Sequence, residues 1–151
     1  MFANVLERAD DRTWYEVHFS LFVLLEVYFI DDRFPATREF HAAIPSILRR
    51  YLMSVKHEHA QAAWNAGDSF SIRHRGADAI TPHLLDAAKD ARYVAGRLGA
   101  LHRIRHLLAQ LEKQAGDSSA ILRAMRSLAR GDRSPRVRRQ AQKIVDGYRC
   151  Y

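Results

Sequence analysis

Leu128–Ala141, LARGDRSPRVRRQA, decides how the C-terminal part of this chain folds, because it places a turn between two amphipathic segments. Ser134 suits the N-cap of a helix, and Pro135 suits its first position, where the missing N–H costs nothing. Apolar residues follow at i, i+4, i+7, i+8 and i+11, the spacing of a helix that faces a core. These residues are Val137, Ala141, Ile144, Val145 and Tyr148. The sequence predicts a helix that begins at Pro135.

The segment before this turn predicts a second helix. Asp117 or Ser118 begins it and Gly131 ends it, since glycine commonly follows the last turn of a helix. Its apolar stripe is Ile121, Leu122, Met125, Leu128 and Ala129.

A longer helix is predicted over residues 90–111. Its apolar stripe is Val94, Leu98, Leu101, Ile104, Leu108 and Leu111. Gly96 and Gly99 lie inside it, although glycine costs about 1 kcal/mol relative to alanine in a helix. Close packing of a neighbouring helix would explain both glycines.

Helical spacing continues through the first half of the chain. The predicted helices are 13–30, 37–53, 55–66 and 77–88, with a turn at 31–35 and a polar loop at 69–76. Only 7 Gly and 4 Pro occur, too few for an all-β chain of 151 residues, and 48% of the residues are hydrophobic. The sequence predicts an all-α globular fold.

The helices repeat along the chain. Four five-residue segments share a frame, and their last residues lie 42, 37 and 41 positions apart. The segments are Val17–Leu21, His59–Ala63, Gly96–Ala100 and Val137–Ala141. Repeats of this period are typical of solenoids, in which each helix pair covers the apolar face of the next.

This pattern resembles that of the HEAT-repeat family. The best match is Leu128–Ala141, where Asp and Pro precede Val-Arg and a small residue, and Ala87–Asp90 followed by Arg97 is a looser copy. The first two frames lack this arginine and carry His18 and Ala60 in its place. The resemblance implies a short all-α solenoid of antiparallel helix pairs that forms one domain over 1–151. The implied repeat frames lie near 13–53, 55–89, 90–130 and 132–149.

The apolar stripes also predict the buried core. Its expected members are Leu21, Leu24, Leu25, Leu98, Leu101, Ile104, Leu122, Met125, Val137 and Ala141.

Charge is unevenly distributed. Lys and Arg total 24 against 17 Asp and Glu, a net charge of +7. Residues 1–91 carry 10 basic and 13 acidic side chains, whereas residues 92–151 carry 14 basic and 4 acidic ones. The C-terminal part is therefore expected to attract anionic partners such as acidic proteins or nucleic acid.

Seven cations of this part are predicted to form one exposed surface, called the basic ridge below. They recur at i, i+3 and i+7 on each of two helices, with one more in the turn. The basic ridge consists of Arg123, Arg126, Arg130, Arg133, Arg136, Arg139 and Lys143. Arginine binds carboxylate and phosphate groups through two parallel hydrogen bonds.

Catalytic and metal chemistry is not predicted. Cys150 is the only cysteine, which excludes an internal disulfide and a cysteine-based zinc site. His102 and His106 have the i, i+4 spacing of metal ligands, but Arg103 stands where zinc proteases carry a glutamate, and Arg105 adds further positive charge. No phosphate loop, nucleophile arrangement or cofactor motif is present in the sequence.

The sequence therefore favours a non-enzymatic scaffold module that recognises an acidic protein surface through the basic ridge. The alternative is sequence-independent nucleic-acid binding, although no aromatic residues are interleaved for base stacking. Some HEAT-like proteins are alkylpurine DNA glycosylases that use Trp and an acidic residue. Trp14, Trp64 and Asp68 cannot be placed on that motif, so this third hypothesis is less favoured.

The most apolar stretch, Phe19–Ile30, is only 12 residues long and contains Glu26, whereas a membrane span needs about 20 apolar residues. The segment before it is acidic, whereas a signal peptide carries basic residues before its apolar segment. We expect a buried helix there, no membrane insertion and a cytoplasmic protein.

Overall fold

The computed structural model describes residues 49–53, 77–114 and 116–147, all of which belong to the compact unit Leu48–Tyr151. Residues 49–53 are helical. The complete helices are α1 (Ala77–Asp90), α2 (Val94–Lys113), α3 (Ser119–Gly131) and α4 (Pro135–Gly147). The described ranges contain no strand, which confirms the all-α prediction for this part of the chain.

Several predictions fall outside the described residues. They are the helices at 13–30 and 55–66, most of the helix at 37–53, the loop at 69–76, the core residues Leu21, Leu24 and Leu25, and the residues Trp14, Trp64, Asp68, Tyr148 and Cys150. The single repeat array over 1–151 stays a prediction.

The predicted helix over 90–111 begins later than expected. α1 continues to Asp90, and its last backbone bond runs from the N–H of Ala91 to the carbonyl of Ala87 at 3.1 Å. Tyr93 is the extended N-cap residue of α2, and the N–H of Arg97 donates to its carbonyl at 3.3 Å. The prediction was wrong here because the turn at 91–93 contains neither glycine nor proline.

Aspartates begin the two later helices. The N–H of Ser119 donates to the Asp117 carboxylate at 2.8 Å, and the Ser119 hydroxyl donates to it at 3.1 Å. At the start of α4, the N–H of Ser134 donates to Asp132 at 2.7 Å, immediately before Pro135. The helix starts predicted at Asp117 or Ser118 and at Pro135 are confirmed.

The four helices pack as two pairs that lie against each other. α1 packs against α2 and α3 against α4, while α2 contacts α4 and α1 contacts α3. These helices and the segment 49–53 contribute large side chains that are almost completely buried in the core. Its largest members are Leu52, Ile80, Leu84, Leu101, Ile104, Leu108, Met125, Ile144 and Val137.

Two predicted core residues are only half-buried, namely Leu98 and Leu122. Each follows a buried residue, Arg97 or Ile121, and one step along a helix rotates the side chain by about 100°. Leu122 therefore lies at the margin of the buried face of α3, whereas Leu98 lies on the half-buried side of α2, one turn from the half-buried Val94 and His102. The other described members of the predicted core, Leu101, Ile104, Met125, Val137 and Ala141, are buried.

At Gly96, α2 packs closely against the helical segment 49–53. A Cβ atom built on Gly96 would collide with the carbonyl oxygen of Leu52 and lie 3.1 Å from its carbonyl carbon. The close packing predicted for this glycine is confirmed. An ion pair between Arg49 and Asp86 at 3.1 Å joins the same segment to α1.

No helix among the described residues is both long enough and apolar enough to cross a bilayer.

Candidate functional site

All seven members of the basic ridge are exposed. Three lie on α3, one lies in the turn that follows it, and three lie on α4. They are Arg123, Arg126, Arg130, Arg133, Arg136, Arg139 and Lys143.

The α3 part of the basic ridge points away from the core. Ile121 and Met125 are buried, and Arg130 follows Ile121 by nine residues, half a turn around the helix at about 100° per residue. Arg123 and Arg126 flank Arg130 on the same side of the helix. These three guanidinium groups are therefore presented to solvent by the packing of the opposite face.

Few carboxylates accompany these cations. Residues 116–147 contain three acidic side chains, and Asp117 lies before α3 with its carboxylate on Ser119. Asp132 has only 5% side-chain exposure, and Asp146 accepts a hydrogen bond from the Gln142 amide at 2.6 Å. Within the described residues no member of the basic ridge forms an ion pair. Its positive charge is therefore available to an external anion.

Two ridge arginines are held by backbone carbonyls. The Arg130 Nε–H donates to the Arg126 carbonyl at 3.3 Å, within α3. The guanidinium of Arg133 donates to the carbonyl of Arg92 at 2.9 Å, across 41 residues of sequence. The second bond connects the turn after α3 with the turn after α1.

A buried ion pair lies close to Arg133, the ridge member in the turn after α3. The Nε of Arg97 is 3.2 Å from a carboxylate oxygen of Asp132, and the two side chains are 2% and 5% exposed. The Nε–H is not aligned for a hydrogen bond with that oxygen, so the interaction is an ion pair, while another Arg97 nitrogen donates to the Ala91 carbonyl at 2.7 Å. Burial lowers the pKa of Arg97; the charge of Asp132 opposes this and that of Arg133 adds to it.

The Arg97 contact with the backbone recurs on α4. Arg138 donates to the carbonyl of Asp132, six residues earlier, at 2.7 Å, as Arg97 donates to that of Ala91. Arg97 and Arg138 are 41 residues apart, the same separation as between Arg92 and Arg133. The two turns are thus built alike and linked to each other. Sequence reasoning placed both arginines in the repeat frame but assigned neither of them a contact.

An open cleft of about 500 Å³ lies where these two turns meet. Its charged lining is largely paired internally, with Lys89 3.9 Å from Asp90 and Arg97 against Asp132. Arg133 completes the charged lining of the cleft. The cleft therefore lies between the two helix pairs. Its lining residues do not include a nucleophile with an adjacent base.

The two α2 histidines contact each other. The rings of His102 and His106 meet edge to face with centroids 4.8 Å apart. Among the described residues, no group of three or more His, Cys, Asp or Glu side chains is arranged to hold a metal ion.

No protein-family model matches the chain, and comparison with curated proteins and with solved structures gives no match either. The class that the described residues define is a helical protein with a strongly basic exposed surface. A more specific assignment is argued from that surface below.

Proposed function

We propose that this protein is a non-enzymatic binding module that recognises an acidic protein surface through the basic ridge. The observation that carries the proposal is the exposure of all seven ridge cations, none of which forms an ion pair within the described residues. Such a surface attracts an anionic partner and accelerates association with it.

The proposal includes a HEAT-like solenoid of antiparallel helix pairs as the scaffold. Two features of the described residues support it. α1 with α2 and α3 with α4 pack as successive pairs, and the arginine-to-carbonyl contact recurs after 41 residues. Solenoids expose a long surface relative to their size, and this surface commonly binds partners. We place the protein in the cytoplasm, since a single cysteine gives no sign of an oxidising compartment.

The basic ridge suits an acidic protein, and its composition speaks against single-stranded nucleic acid. Six of its seven members are arginines, whose planar groups bind carboxylates and phosphates alike with two parallel hydrogen bonds. No aromatic residue lies between them to stack on an unpaired base. Sequence-independent duplex binding remains the competing outcome of the experiment below.

The test is a titration of the full chain with labelled poly-L-glutamate and with a short mixed-sequence DNA duplex, each at two salt concentrations. The ridge variant carries Arg126→Ala and Arg139→Ala. The control variant carries Lys89→Ala and Lys113→Ala, which remove the same number of exposed cations from α1 and α2. We expect the protein to bind polyglutamate more tightly than duplex, and the ridge variant alone to weaken this binding.

Two results would overturn the proposal. Tighter binding to duplex, with a salt slope that falls by about one unit for each phosphate-binding arginine replaced, would assign the basic ridge to nucleic acid. An equal weakening in the ridge and control variants would show that net charge, not the ridge, attracts the anion.

A further inference from the structure

The contact between the two helix pairs shows what the turn after α1 binds. The turn after α3 supplies an aspartate and an arginine in succession. Asp132 places its carboxylate against Arg97, and Arg133 donates to the carbonyl of Arg92. An acidic and a basic side chain from one turn thus engage a guanidinium and a carbonyl on the neighbouring pair.

The same receptor groups are present 41 residues later. Arg138 occupies the position of Arg97 and is held by the same kind of bond, from its guanidinium to the carbonyl six residues before it. The carbonyl of Arg133 occupies the position of the Arg92 carbonyl. Arg97 is 2% exposed, whereas Arg138 is half-buried, and no described carboxylate lies against it.

The residues around Arg138 indicate what kind of occupant this face takes. Leu101 is buried on α2, but the residue 41 positions later, Gln142, which lies one turn after Arg138 on α4, is polar and exposed. A surface of this composition does not continue an apolar core. It suits a separate protein that binds through polar and charged contacts.

We propose that the face of α4 around Arg138 docks a turn of a partner protein in which an acidic residue is followed by a basic one. The partner's carboxylate binds the Nε edge of Arg138, as Asp132 binds Arg97. Its basic side chain donates to the carbonyl of Arg133, as Arg133 donates to that of Arg92. This inference rests on the contacts between turns and uses no side chain of the basic ridge, since Arg138 is not a ridge member and Arg133 contributes only its backbone carbonyl.

The test supplies the occupant on a tether. The full chain carries, after Tyr151 and a flexible Gly-Ser linker, the sequence Gly-Asp-Arg-Ser-Pro of its own residues 131–135. A matched chain carries Asn in place of the tethered Asp. The tether raises the effective concentration of the turn to the millimolar range, so that a weak contact is measurable. The readout is the arginine Nε–H resonance of Arg138, which is assigned with Arg138→Lys.

We expect the Arg138 resonance to differ between the Asp and Asn chains while the ridge arginines stay unchanged. Adding Arg126→Ala and Arg139→Ala should leave that difference intact. An Arg138 resonance that is the same in both chains, or a difference of equal size at all exposed arginines, would overturn the inference. This experiment tests a single carboxylate and uses no polyanion. Its result is therefore valid whether or not the protein binds polyglutamate.

Discussion

Arg97 on α2 and Asp132 in the turn before α4 form an ion pair across the contact between the two helix pairs. The atoms are 3.2 Å apart, and the side chains are 2% and 5% exposed. Removing two charges from water costs several kcal/mol per ion, which their attraction offsets only when further hydrogen bonds satisfy them. The Ala91 carbonyl and the Ser134 N–H provide such bonds. The pair is therefore costly to break and fixes how the pairs meet.

Asp132→Asn should destabilise the protein by about 3–5 kcal/mol, because it leaves the buried charge of Arg97 without a counterion. The amide oxygen can still accept the Ser134 N–H, so the destabilisation reports on the ion pair. Asp146→Asn, on the exposed side of α4, is the control and should change the free energy of unfolding little. Urea unfolding measures both variants. A change below about 1 kcal/mol for Asp132→Asn would contradict this account.

Gly96→Ala should destabilise the protein by about 1–3 kcal/mol, since its methyl group would meet the Leu52 carbonyl and force the helices apart. Gly131→Ala is the matched control, because no atom lies within 4 Å of its added Cβ. That variant should be neutral or slightly stabilising, as alanine favours helix. Thermal unfolding measures the stability of both variants. Equal melting temperatures for Gly96→Ala and Gly131→Ala would contradict the close contact at Gly96.

Leu101→Ala should cost about 2–5 kcal/mol, because Leu101 is fully buried and the substitution leaves a cavity. Leu98→Ala removes the same atoms from the half-buried side of α2 and should cost clearly less. Chemical unfolding compares the two. If Leu98→Ala is the more damaging change, the buried face of α2 has been assigned incorrectly.

Asp117 should contribute to stability in a pH-dependent way. Its pKa lies below the ordinary value of 3.8, because the N–H and hydroxyl of Ser119 donate to the carboxylate. The contribution is present above the unfolded-state pKa and disappears as pH falls through the lowered pKa of the folded state. Asp117→Ala should be less stable than wild type at neutral pH, and this difference should shrink below pH 3.8.

Unfolding at several pH values measures this difference. Asp146→Ala serves as the control for removing an exposed carboxylate. The same narrowing in Asp146→Ala would point to overall charge and not to the helix start.

Sequence periodicity was sufficient to predict the existence of the described helices and the exposure of the basic ridge. Both follow from local spacing, since a side chain opposite an apolar stripe faces solvent. The turn at 91–93 was missed because no residue there restricts the backbone as glycine or proline does. Leu122 was misplaced because it lies at the edge of the buried face of α3, and Leu98 because the predicted stripe began along the half-buried side of α2.

The contacts of the charged residues could not be predicted. Arg97 and Asp132 lie 35 positions apart in sequence, and Arg133 reaches Arg92 across 41 positions. Such pairs depend on how two helix pairs dock, which spacing within a single helix does not specify. The repeat frame drew attention to Arg97 and Arg138, and the structure supplied the difference in burial between them.

Arg133 belongs both to the basic ridge and to the contact between the helix pairs. A guanidinium has five N–H donors, so Arg133 can bind an external carboxylate while it keeps its bond to Arg92. If the proposed partner holds the Arg133 side chain in this position, partner binding and the contact between the two helix pairs stabilise each other. This coupling is reciprocal. Tension that pulls the helix pairs apart then lowers the affinity for the partner by the same factor by which the bound partner disfavours separation of the pairs.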